Sequence, residues 1–430
     1  MKVRSLLVLV AALFVACPLA FVPAESVWAA PKPPPPNRPA QEPSKFVDGE
    51  ILVRFKPGTP AQVIAEAHRQ NGGQLKDSIS DIDVQVVAVP AGLEKARVAA
   101  YRQNPNVQFA ELNGLYYAVA SGPNDPMVGQ QWQYNNTSPT APSTGGDINA
   151  FEAWQVTMGS SSVGIAVLDS GIDQTHEDLR AKLAKTINFS ISTTADDRYG
   201  HGTHVAGSAA AVTNNGIGVA GTCPNCVLYN VKVLGDDGSG DWSRIARGIN
   251  WAANNGAKAI NMSFGDINVP SNTVELAINN AWGKGLVLAA AAGNNGHDWG
   301  FYPAAYTNVI AVAATDSNDA KASFSNFGAW VDVAAPGASI YSTAPDHANT
   351  VFGSGVKYGT LSGTSMASPH VAGLAGLIWS TSLCSTNSCV RDRIQNTANK
   401  AVNGQGLRDD GTTTVYWQYG RIDANAAVSP

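Results

Sequence analysis

Hydrophobic residues in the later part of the chain are grouped into short continuous runs. Residues 163–168 form the first such run, and its length is typical of one buried strand. Similar runs follow at residues 227–234, 257–262, 286–292 and 309–313. Segments with helical spacing, such as residues 242–253, separate them. The alternation predicts an α/β fold, in which helices cover both faces of a mostly parallel sheet.

An earlier region, residues 46–118, has a different pattern, because short alternating segments there are mixed with helical ones. The alternating segments are residues 49–55 and 84–89, and the helical segments are residues 60–70 and 93–103. This mixture predicts a small separate α+β domain. The preceding residues 30–45 are rich in proline and too poor in apolar residues to pack, so we expect an extended linker.

The first 29 residues have the pattern of a secretory signal peptide. Lys2 and Arg4 precede an apolar run at residues 6–15, and cleavage is expected near Ala29. The run is too short to span a membrane, so we expect a secreted protein, in the periplasm or outside the cell, with no stable membrane anchor.

Cys17 raises a lipoprotein as an alternative. A lipoprotein signal usually has leucine three residues before its cysteine, and this chain has Phe14 there. We therefore favour the ordinary signal peptide.

Three short segments of the later region carry residues suited to nucleophilic catalysis. They are VLDSGID at 167–173, YGHGTHVAG at 199–207 and LSGTSMASPHVAG at 361–373. In that order they contain Asp169, His201 and Ser365, each beside glycine or another small residue. A serine hydroxyl is a weak nucleophile at neutral pH, so it needs a base and a third group that holds the base in the right tautomer. The three residues fit these roles.

The predicted elements bring these residues towards one edge of the sheet. Asp169 ends the first buried strand, at the carboxyl edge where α/β enzymes hold their sites. His201 and Ser365 each begin a stretch of small and apolar residues that predicts a buried helix. Pro369 is expected within the first turn of the second helix, where a missing N–H has little effect, and Gly373 lets that helix pack tightly.

With these motifs the chain resembles the subtilisin family of serine endopeptidases, in particular the thermitase-like branch. The resemblance covers residues 122–427 and implies a three-layer subtilisin-like peptidase domain at 122–430. It also implies that Asp169 orients His201, which acts as general base and acid, and that Ser365 is the nucleophile. Proteins or peptides would be the substrates.

By the same resemblance, residues 46–118 are an inhibitor-type propeptide with a ferredoxin-like fold. Such a domain templates the folding of the catalytic domain and blocks its cleft as an intramolecular inhibitor until it is cut away. The cut is expected between about residues 116 and 123. An unrelated binding domain is the alternative, and a position directly before a protease disfavours it.

The segment AAAAGNNG, residues 289–296, is expected to supply an oxyanion hole. By resemblance Asn294 is the asparagine that donates to the negative oxygen of the tetrahedral intermediate, together with the backbone N–H of Ser365. Asn295 is the competing residue. Alignment through the letters AAGN favours Asn294, although an asparagine in a turn is usually structural.

The resemblance further assigns two segments to the binding of an extended peptide as an added strand. Their residues are Gly238, Ser239, Gly240, Ser263, Phe264 and Gly265. Trp242 and Phe264 would line an apolar pocket for the side chain four residues before the scissile bond. Both aromatic residues are also candidates for ordinary core positions.

Phe301 is expected beside the primary specificity pocket. Many relatives have a smaller residue there, so their preference for bulky side chains does not transfer. No acidic residue is evident at the pocket floor. We therefore expect broad, mainly apolar specificity and no preference for cleavage after Lys or Arg.

The resemblance implies one structural Ca²⁺ site, which needs several oxygen ligands. The side-chain ligands would be Asp125, Asp178 and Asn215, and the carbonyl ligands Val212, Ile217 and Val219. Thermitase-like relatives have another calcium loop between the catalytic Asp and His. Here residues 188–198 are shorter and keep only Asp196 and Asp197, so we do not transfer that second site.

Composition agrees with an exported enzyme. The chain has 430 residues, of which 44% are hydrophobic and 14% charged, so it can bury a large core. Its formal charge of -5 gives no electrostatic reason to expect nucleic acid or an anionic membrane as a partner, and we expect a monomer.

Four cysteines remain beyond Cys17. In a reducing compartment they would suggest zinc or redox chemistry, but export favours disulfides of Cys223 with Cys226 and of Cys384 with Cys389. Cross-pairing stays open. The remaining histidines of the motifs, His204 and His370, hold structural positions in the family and are not assigned as metal ligands.

Two rival functions differ from a hydrolase. A related transferase would pass its acyl group to an amine, but the added elements that shield such an acyl-enzyme from water are not evident. A non-catalytic binding module is disfavoured by the intact Asp169, His201 and Ser365, by Asn294 and by the propeptide. Product analysis separates the first rival from a protease, and a covalent serine probe separates the second.

Overall fold

A computed structural model describes the chain over residues 46–114, 122–136, 145–400, 405–407 and 412–430. The predicted signal peptide, the proline-rich linker and most of the predicted cleavage region lie outside these ranges. Among the described residues no helix is long and apolar enough to cross a membrane. The chain divides into two compact units, Met1–Val119 and Ala120–Pro430.

The N-terminal unit has the element order β-α-β-β-α-β. Its elements are β1 (Phe46–Phe55), α1 (Ala61–Gln70), β2 (Gln74–Ile79), β3 (Val84–Ala88), α2 (Glu94–Arg102) and β4 (Val107–Gly114). The strands form an antiparallel sheet in the order β2-β3-β1-β4, which is the ferredoxin-like arrangement. Along β1, Ile51, Val53 and Phe55 are buried while Leu52 and Arg54 between them are partly exposed, so the predicted alternation is confirmed over these five residues.

The C-terminal unit contains more strands than the sequence pattern predicted. In chain order they are β5 (Gly164–Asp169), β6 (Leu183–Asn188), β7 (Val227–Lys232), β8 (Ala257–Met262), β9 (Asp266–Ile267), β10 (Val287–Ala291), β11 (Phe301–Tyr302), β12 (Ile310–Thr315), β13 (Val333–Pro336), β14 (Ile340–Thr343), β15 (Tyr358–Leu361), β16 (Gln405–Leu407), β17 (Thr413–Val415) and β18 (Gly420–Arg421). The helices are α3 (Ala150–Val156), α4 (His201–Ala210), α5 (Trp242–Asn254), α6 (Asn272–Gly283), α7 (Thr364–Trp379), α8 (Asn387–Asn396) and α9 (Ala424–Val428).

Eight of these strands form the central sheet, in the order β18-β13-β12-β10-β8-β5-β7-β6. All of its neighbouring strands are parallel. Each predicted apolar run lies in one of its strands, with ends that differ by a residue or two. The prediction of a parallel sheet is confirmed.

Helices cover both faces of this sheet. Along β5, Ile165 and Val167 point to a core that includes residues of α4 and α7. Ala166 and Leu168 alternate with them and point to a second core that includes residues of α5 and α6. A strand with both faces buried must be apolar throughout, which is why residues 163–168 show no alternation.

The middle strand β5 lies at the point where the strand order reverses. The chain places β7 on one side of β5 and β8 on the other. In open α/β sheets such a reversal leaves a crevice at the carboxyl ends of the strands, and ligands bind there. Asp169, the last residue of β5, lies at this position.

Pro369 lies deeper in its helix than predicted. Helix α7 begins at Thr364, so Pro369 is inside the helix and beyond its first turn. Because proline has no N–H, the carbonyl of Ser365 lacks its usual helical donor four residues later. The hydroxyl of Ser263 donates to that carbonyl at 2.8 Å instead, which satisfies the exposed backbone group.

Helix α7 packs closely against α4 at a glycine, as predicted. A Cβ atom added at Gly373 would lie 2.8 Å from the carbonyl oxygen of Ala209 and 2.5 Å from the Cβ of Thr222. Neither group can move without displacing buried backbone. The two helices therefore depend on the missing side chain for their contact.

Both disulfides are local. Cys223 pairs with Cys226 and Cys384 with Cys389, with Cα–Cα distances of 5.4 and 5.5 Å. The structure thus has the favoured pairing and not the crossed one.

The close approach of α7 to α4 predicts a large effect of one methyl group. In a Ser365→Ala background, Gly373→Ala should lower the free energy of unfolding by about 1–3 kcal/mol through overpacking. Thermal unfolding at a fixed scan rate measures the change.

Gly283→Ala is the matched control, since Gly283 ends α6 with no atom within 4 Å of an added Cβ. It should be neutral or stabilise by about 0.5–1 kcal/mol through helix propensity. Equal melting temperatures for the two variants would contradict the packing argument.

Candidate active site

Asp169 and His201 form the first half of the site. Asp169 is 1% exposed at the end of β5, and its Oδ1 accepts hydrogen bonds from His201 Nδ1 at 2.8 Å and from the Ser170 N–H at 2.7 Å. A proton on Nδ1 leaves Nε2 of the ring free to accept another. The pair therefore holds His201 in the tautomer that a general base needs.

His201 is the first residue of α4, as predicted, and a glycine fixes how the chain enters that helix. Gly200 has φ +108°, and a Cβ atom there would lie 2.6 Å from Asn349 Oδ1. A side chain at this position would be strained and would also clash. The glycine before His201 is thus required by the geometry of the site.

Asp197 is a site residue whose role the sequence analysis missed. It is fully buried, and its Oδ2 accepts from the N–H and the hydroxyl of Thr203 at 2.8 and 2.7 Å. Its Oδ1 accepts from the Gly200 N–H and from the Ser170 hydroxyl, both at 2.8 Å. A carboxylate here satisfies the free N–H groups at the start of α4 and interacts favourably with the helix dipole.

A signal for this role was present in the sequence. An acidic residue shortly before a predicted helix start is typical of a helix N-terminus. The comparison of residues 188–198 with a calcium loop does not indicate this role.

Ser365 lies in the first turn of α7 and contacts the end of β8. Its hydroxyl donates to the carbonyl oxygen of Ser263 at 3.0 Å. A hydroxyl has one hydrogen, so this bond must be exchanged before His201 can accept the proton. Such hydrogen bonds often align only when substrate binds.

Asn294 lies beside the nucleophile, and its amide is oriented by the backbone. Its Oδ1 accepts from the N–H and the hydroxyl of Thr364 at 2.8 and 2.9 Å. A Cβ atom added at Gly363 would lie 3.3 Å from Asn294 Nδ2 and 3.6 Å from the Ser365 N. Two donors therefore border one small space, as an oxyanion hole requires. Asn294 and Asn295 are both exposed, but the amide of Asn294 contacts Thr364 beside Ser365, while the Asn295 N–H donates to Asn326, so the geometry favours Asn294.

A buried hydrogen-bond network anchors the nucleophile to the sheet. The Ser368 hydroxyl donates to Asn261 Oδ1 at 2.7 Å, and Asn261 Nδ2 donates to the Ser263 hydroxyl at 2.9 Å. That hydroxyl is the one that donates to the carbonyl of Ser365. Ser263 was predicted only as part of the substrate-binding edge, and its side chain is engaged here instead.

Asn261 was not singled out from the sequence, although a signal existed. It is a polar residue inside an apolar run that predicts a strand buried on both faces. A polar group there must find hydrogen-bond partners, so its position indicates a structured neighbour.

A cavity of about 280 Å³ brings most of the predicted substrate-binding residues together. Those in its lining are Gly238, Ser239, Gly240, Trp242, Phe264 and Gly265. Trp242 is 49% exposed, so it is not a core residue, while Phe264 is half-buried. The remaining predicted residues lie elsewhere, Ser263 in the buried network and Phe301 in β11.

One of the two predicted edges is a turn and not an extended strand. The Gly235 N–H donates to the Ser239 carbonyl at 2.7 Å, and the Gly238 N–H donates to the Gly235 carbonyl at 2.9 Å. Gly238 has φ +78°, which an extended strand does not contain. Asp237 stabilises the turn by accepting from the Ser239 N–H.

Two buried carboxylates lie at the centre of the predicted calcium site. Asp125 and Asp178 are 2% and 0% exposed, and burial raises the pKa of both. Asn215 contacts both, since its N–H donates to Asp125 at 3.1 Å and its Nδ2 donates to Asp178 at 2.7 Å. The Val219 N–H donates to Asp178 at 3.0 Å and the Val212 N–H to its carbonyl at 2.9 Å.

In the part of the chain that the structure describes, neither carboxylate forms an ion pair with a basic side chain. Two buried negative charges without a cation are unfavourable. The two carboxylates supply oxygen ligands of the kind that a hard cation such as Ca²⁺ prefers. Asn215 turns its Nδ2 towards Asp178, and its Oδ1 accepts from the N–H of Ile217, another predicted ligand, at 2.8 Å.

A second acidic group lies near Asp196. Carboxylate or ring atoms of Asp173, Asp196 and His347 lie within 4.8 Å of one another. They already have partners, because Asp196 is paired with Arg198 and His347 at 3.1 and 3.0 Å and Asp173 accepts from Thr175. The arrangement is an ion-pair network.

Comparison with known proteins identifies the family. Residues 160–413 match the Subtilase family, Peptidase S8, and residues 32–113 match the fervidolysin N-terminal prodomain. The chain belongs to the subtilase family.

Relatives agree with this assignment. The chain is 42% identical to the thermophilic serine proteinase of Bacillus sp. (strain AK1) over 91% of its own length and 90% of the relative. It is 44% identical to thermitase of Thermoactinomyces vulgaris, over 71% of this chain and 99% of the relative. A protease structure from Pseudoalteromonas arctica matches with a TM-score of 0.60 and 33% identity, over 72% of this chain and 99% of that one.

This subtilase is therefore a subtilisin-like serine endopeptidase made with a propeptide. The resemblance, the three-layer fold and the type of enzyme are confirmed. The prodomain match also decides against an unrelated N-terminal binding domain.

The buried histidines of the subtilase differ in their pKa. Burial lowers the pKa of His204 to about 3 and of His370 to about 4, so both are neutral. Burial also lowers the pKa of His201, but the carboxylates of Asp169 and Asp197 raise it by more than burial lowers it. The pKa of His201 is therefore above the usual 6.5.

The raised pKa of His201 predicts where activity falls at low pH, which is the acid limb of the pH profile. His201 accepts a proton only when neutral, so kcat/KM should be full above the raised pKa and should fall as the pH drops through it. In Asp197→Asn one negative charge is lost, the pKa of His201 falls, and the limb should move to lower pH by about half a unit or more. A pH profile of kcat/KM on titrated active sites measures the shift.

Asp392→Asn removes a charge from an exposed position on α8 and is the control, with an unchanged acid limb. An identical limb in wild type and Asp197→Asn would show that Asp197 does not act on His201.

Proposed function

We propose that this subtilase is a secreted serine endopeptidase that hydrolyses peptide bonds in proteins through an acyl-enzyme. It is made as a self-inhibited zymogen and matures when its propeptide is cut away. The observation that carries the proposal is the bond from His201 to Asp169 at the carboxyl edge of the sheet. Ser365 and Asn294 lie beside one another at the same edge, at the start of α7.

The reaction follows from the positions of these groups. The hydroxyl of Ser365 attacks the scissile carbonyl while Nε2 of His201 takes its proton, and Asp169 stabilises the imidazolium that forms. His201 then protonates the leaving amine, and a water molecule releases the acyl group by the same steps in reverse. Asn294 Nδ2 and the Ser365 N–H bind the negative oxygen, and the loss of one such donor costs about 3 kcal/mol in enzymes of this type.

Substrate would bind along the cavity between the turn at residues 238–240 and the segment at residues 263–265. Backbone groups of Ser263, Phe264 and Gly265 hold the peptide as an added strand. Trp242 and Phe264 receive the side chain four residues before the scissile bond, which is supported by the apolar part of the cavity lining.

One Ca²⁺ ion completes the fold in this proposal. Bound there, it would supply positive charge to the buried carboxylates of Asp125 and Asp178. Asn215 would add its amide oxygen, and Val212, Ile217 and Val219 their carbonyls. The support is that both buried carboxylates lack a basic partner among the described residues.

The proposed order along the chain is a signal peptide at 1–29, a linker at 30–45, a propeptide at 46–118 and a peptidase domain at 122–430. Export to the periplasm or the exterior is supported by the two disulfides, which persist in oxidising compartments. The mature enzyme acts as a monomer.

Mass spectrometry of purified protein tests the catalytic assignment. Wild type should lose the propeptide and gain one label from a fluorophosphonate probe, whereas Ser365→Ala should stay full length and unlabelled. Ser362→Ala removes an exposed hydroxyl in the same segment and should behave as wild type. A wild type that stays uncut and unlabelled after folding with calcium would refute the protease, and a ligated product would favour the transferase.

Calcium dependence tests the metal proposal. Added Ca²⁺ should stabilise the Ser365→Ala protein in proportion to the logarithm of the Ca²⁺ concentration, by about 2.7 kcal/mol in the free energy of unfolding at a hundredfold excess over Kd. The melting temperature should rise accordingly. Asp125→Asn should weaken the apparent affinity about tenfold or more, because it removes one of two negative charges. Asp392→Asn should leave the affinity unchanged, and equal affinities for all three proteins would place the ion elsewhere.

A further inference from the structure

The side chain of Phe301 lies between two backbone segments next to the nucleophile. A Cβ atom added at Gly265 would lie 2.4 Å from Phe301 Cε1, and one added at Gly293 would lie 2.7 Å from Phe301 Cδ2. Opposite edges of the ring thus face the two glycines. The ring fills the width of the space between these segments.

Both segments border the reaction centre. Gly265 follows Ser263, whose carbonyl accepts from the Ser365 hydroxyl. Gly293 precedes Asn294, and its N–H donates to the Thr364 hydroxyl at 3.0 Å. The space between the two glycines therefore lies next to Ser365, where a substrate whose carbonyl is attacked would place its side chain.

The ring cannot easily leave this space. The backbone of Phe301 is paired with Ile267 in the short sheet of β11 and β9, and its carbonyl accepts from the Ala305 N–H at 2.9 Å. Gly293 has φ +98°, so the wall opposite is a backbone that adopts this conformation only as glycine. The walls and the ring are thus fixed together.

We propose that Phe301 closes the inner part of the primary specificity pocket and limits the residue before the scissile bond to glycine, alanine or serine. A large side chain would need the volume that the ring occupies, and well-packed sites resist overpacking. This inference rests on the proposed peptidase function. It narrows the broad apolar specificity expected from sequence.

The same limit applies to the chain's own maturation. The junction reads Tyr116-Tyr117-Ala118-Val119-Ala120-Ser121. A pocket for small side chains selects the bonds after Ala118, Ala120 or Ser121 over those after either tyrosine. The mature N-terminus should therefore begin at residue 119, 121 or 122.

Hydrolysis of peptides that differ only in the residue before the scissile bond tests the inference. Wild type should show kcat/KM for alanine at least about tenfold above that for phenylalanine or leucine. In Phe301→Ala the value for phenylalanine should rise at least about tenfold while that for alanine changes less than about threefold. Active-site titration normalises every rate, and Phe301→Leu provides a milder opening of the pocket with an intermediate effect.

Trp242→Ala is the matched aromatic control. Trp242 lines a cavity whose lining includes neither Phe301 nor Ser365, so its loss should change the rates on all these peptides by a common factor. A wild type that hydrolyses the phenylalanine peptide as fast as the alanine peptide, or that matures after Tyr117, would overturn the inference and leave the protease intact. A wild type that hydrolyses none of the peptides and takes no serine probe would refute the protease itself.

Discussion

The carbonyl oxygen of Ser365 is the group on which the arrangement of the site depends. Pro369 deprives it of a helical donor, and the hydroxyl of Ser263 replaces that donor. Asn261 holds the Ser263 hydroxyl from the strand below, and Ser368 holds Asn261 from the helix. The nucleophile is thus fixed to the sheet through a defect in its own helix. A regular helix would satisfy that carbonyl internally and would leave Ser365 without this anchor.

Four buried carboxylates of the peptidase domain differ in how they are stabilised. Asp169 bonds to a histidine, and Asp197 bonds to N–H and hydroxyl groups at the start of α4. Asp125 and Asp178 have backbone, amide and hydroxyl donors but no basic side chain. Both oxygens of Asp197 have partners within the chain, whereas Oδ2 of Asp169 is buried without one among the described residues. Asp125 and Asp178 have hydrogen-bond donors but no positively charged partner among the described residues, and the proposed cation would supply that charge.

Much of the fold, and the approach of His201 to Asp169, could be predicted from the sequence because the signals were local. The run before Asp169 is apolar throughout since both faces of β5 are buried, and the small residues after His201 and Ser365 reflect tightly packed helices. The depth of Pro369 in α7, the turn at Gly238 and the role of Asp197 depend on partners distant in sequence or on the choice of a helix boundary. The spacing of residues along the chain does not contain that information. Asn261 is different, because a polar residue inside a buried apolar run indicates a hydrogen-bond network.

The aromatic ring of Phe301 changes where along a substrate the binding energy arises. With the proposed small volume beside the scissile bond, most of the side-chain contact with a peptide would lie in the cavity at Trp242 and Phe264, several residues upstream. Chains too short to reach that cavity have only backbone contacts to offer. On the proposed specificity, the enzyme would select substrates by length as well as by sequence, and short product peptides would be cleaved slowly.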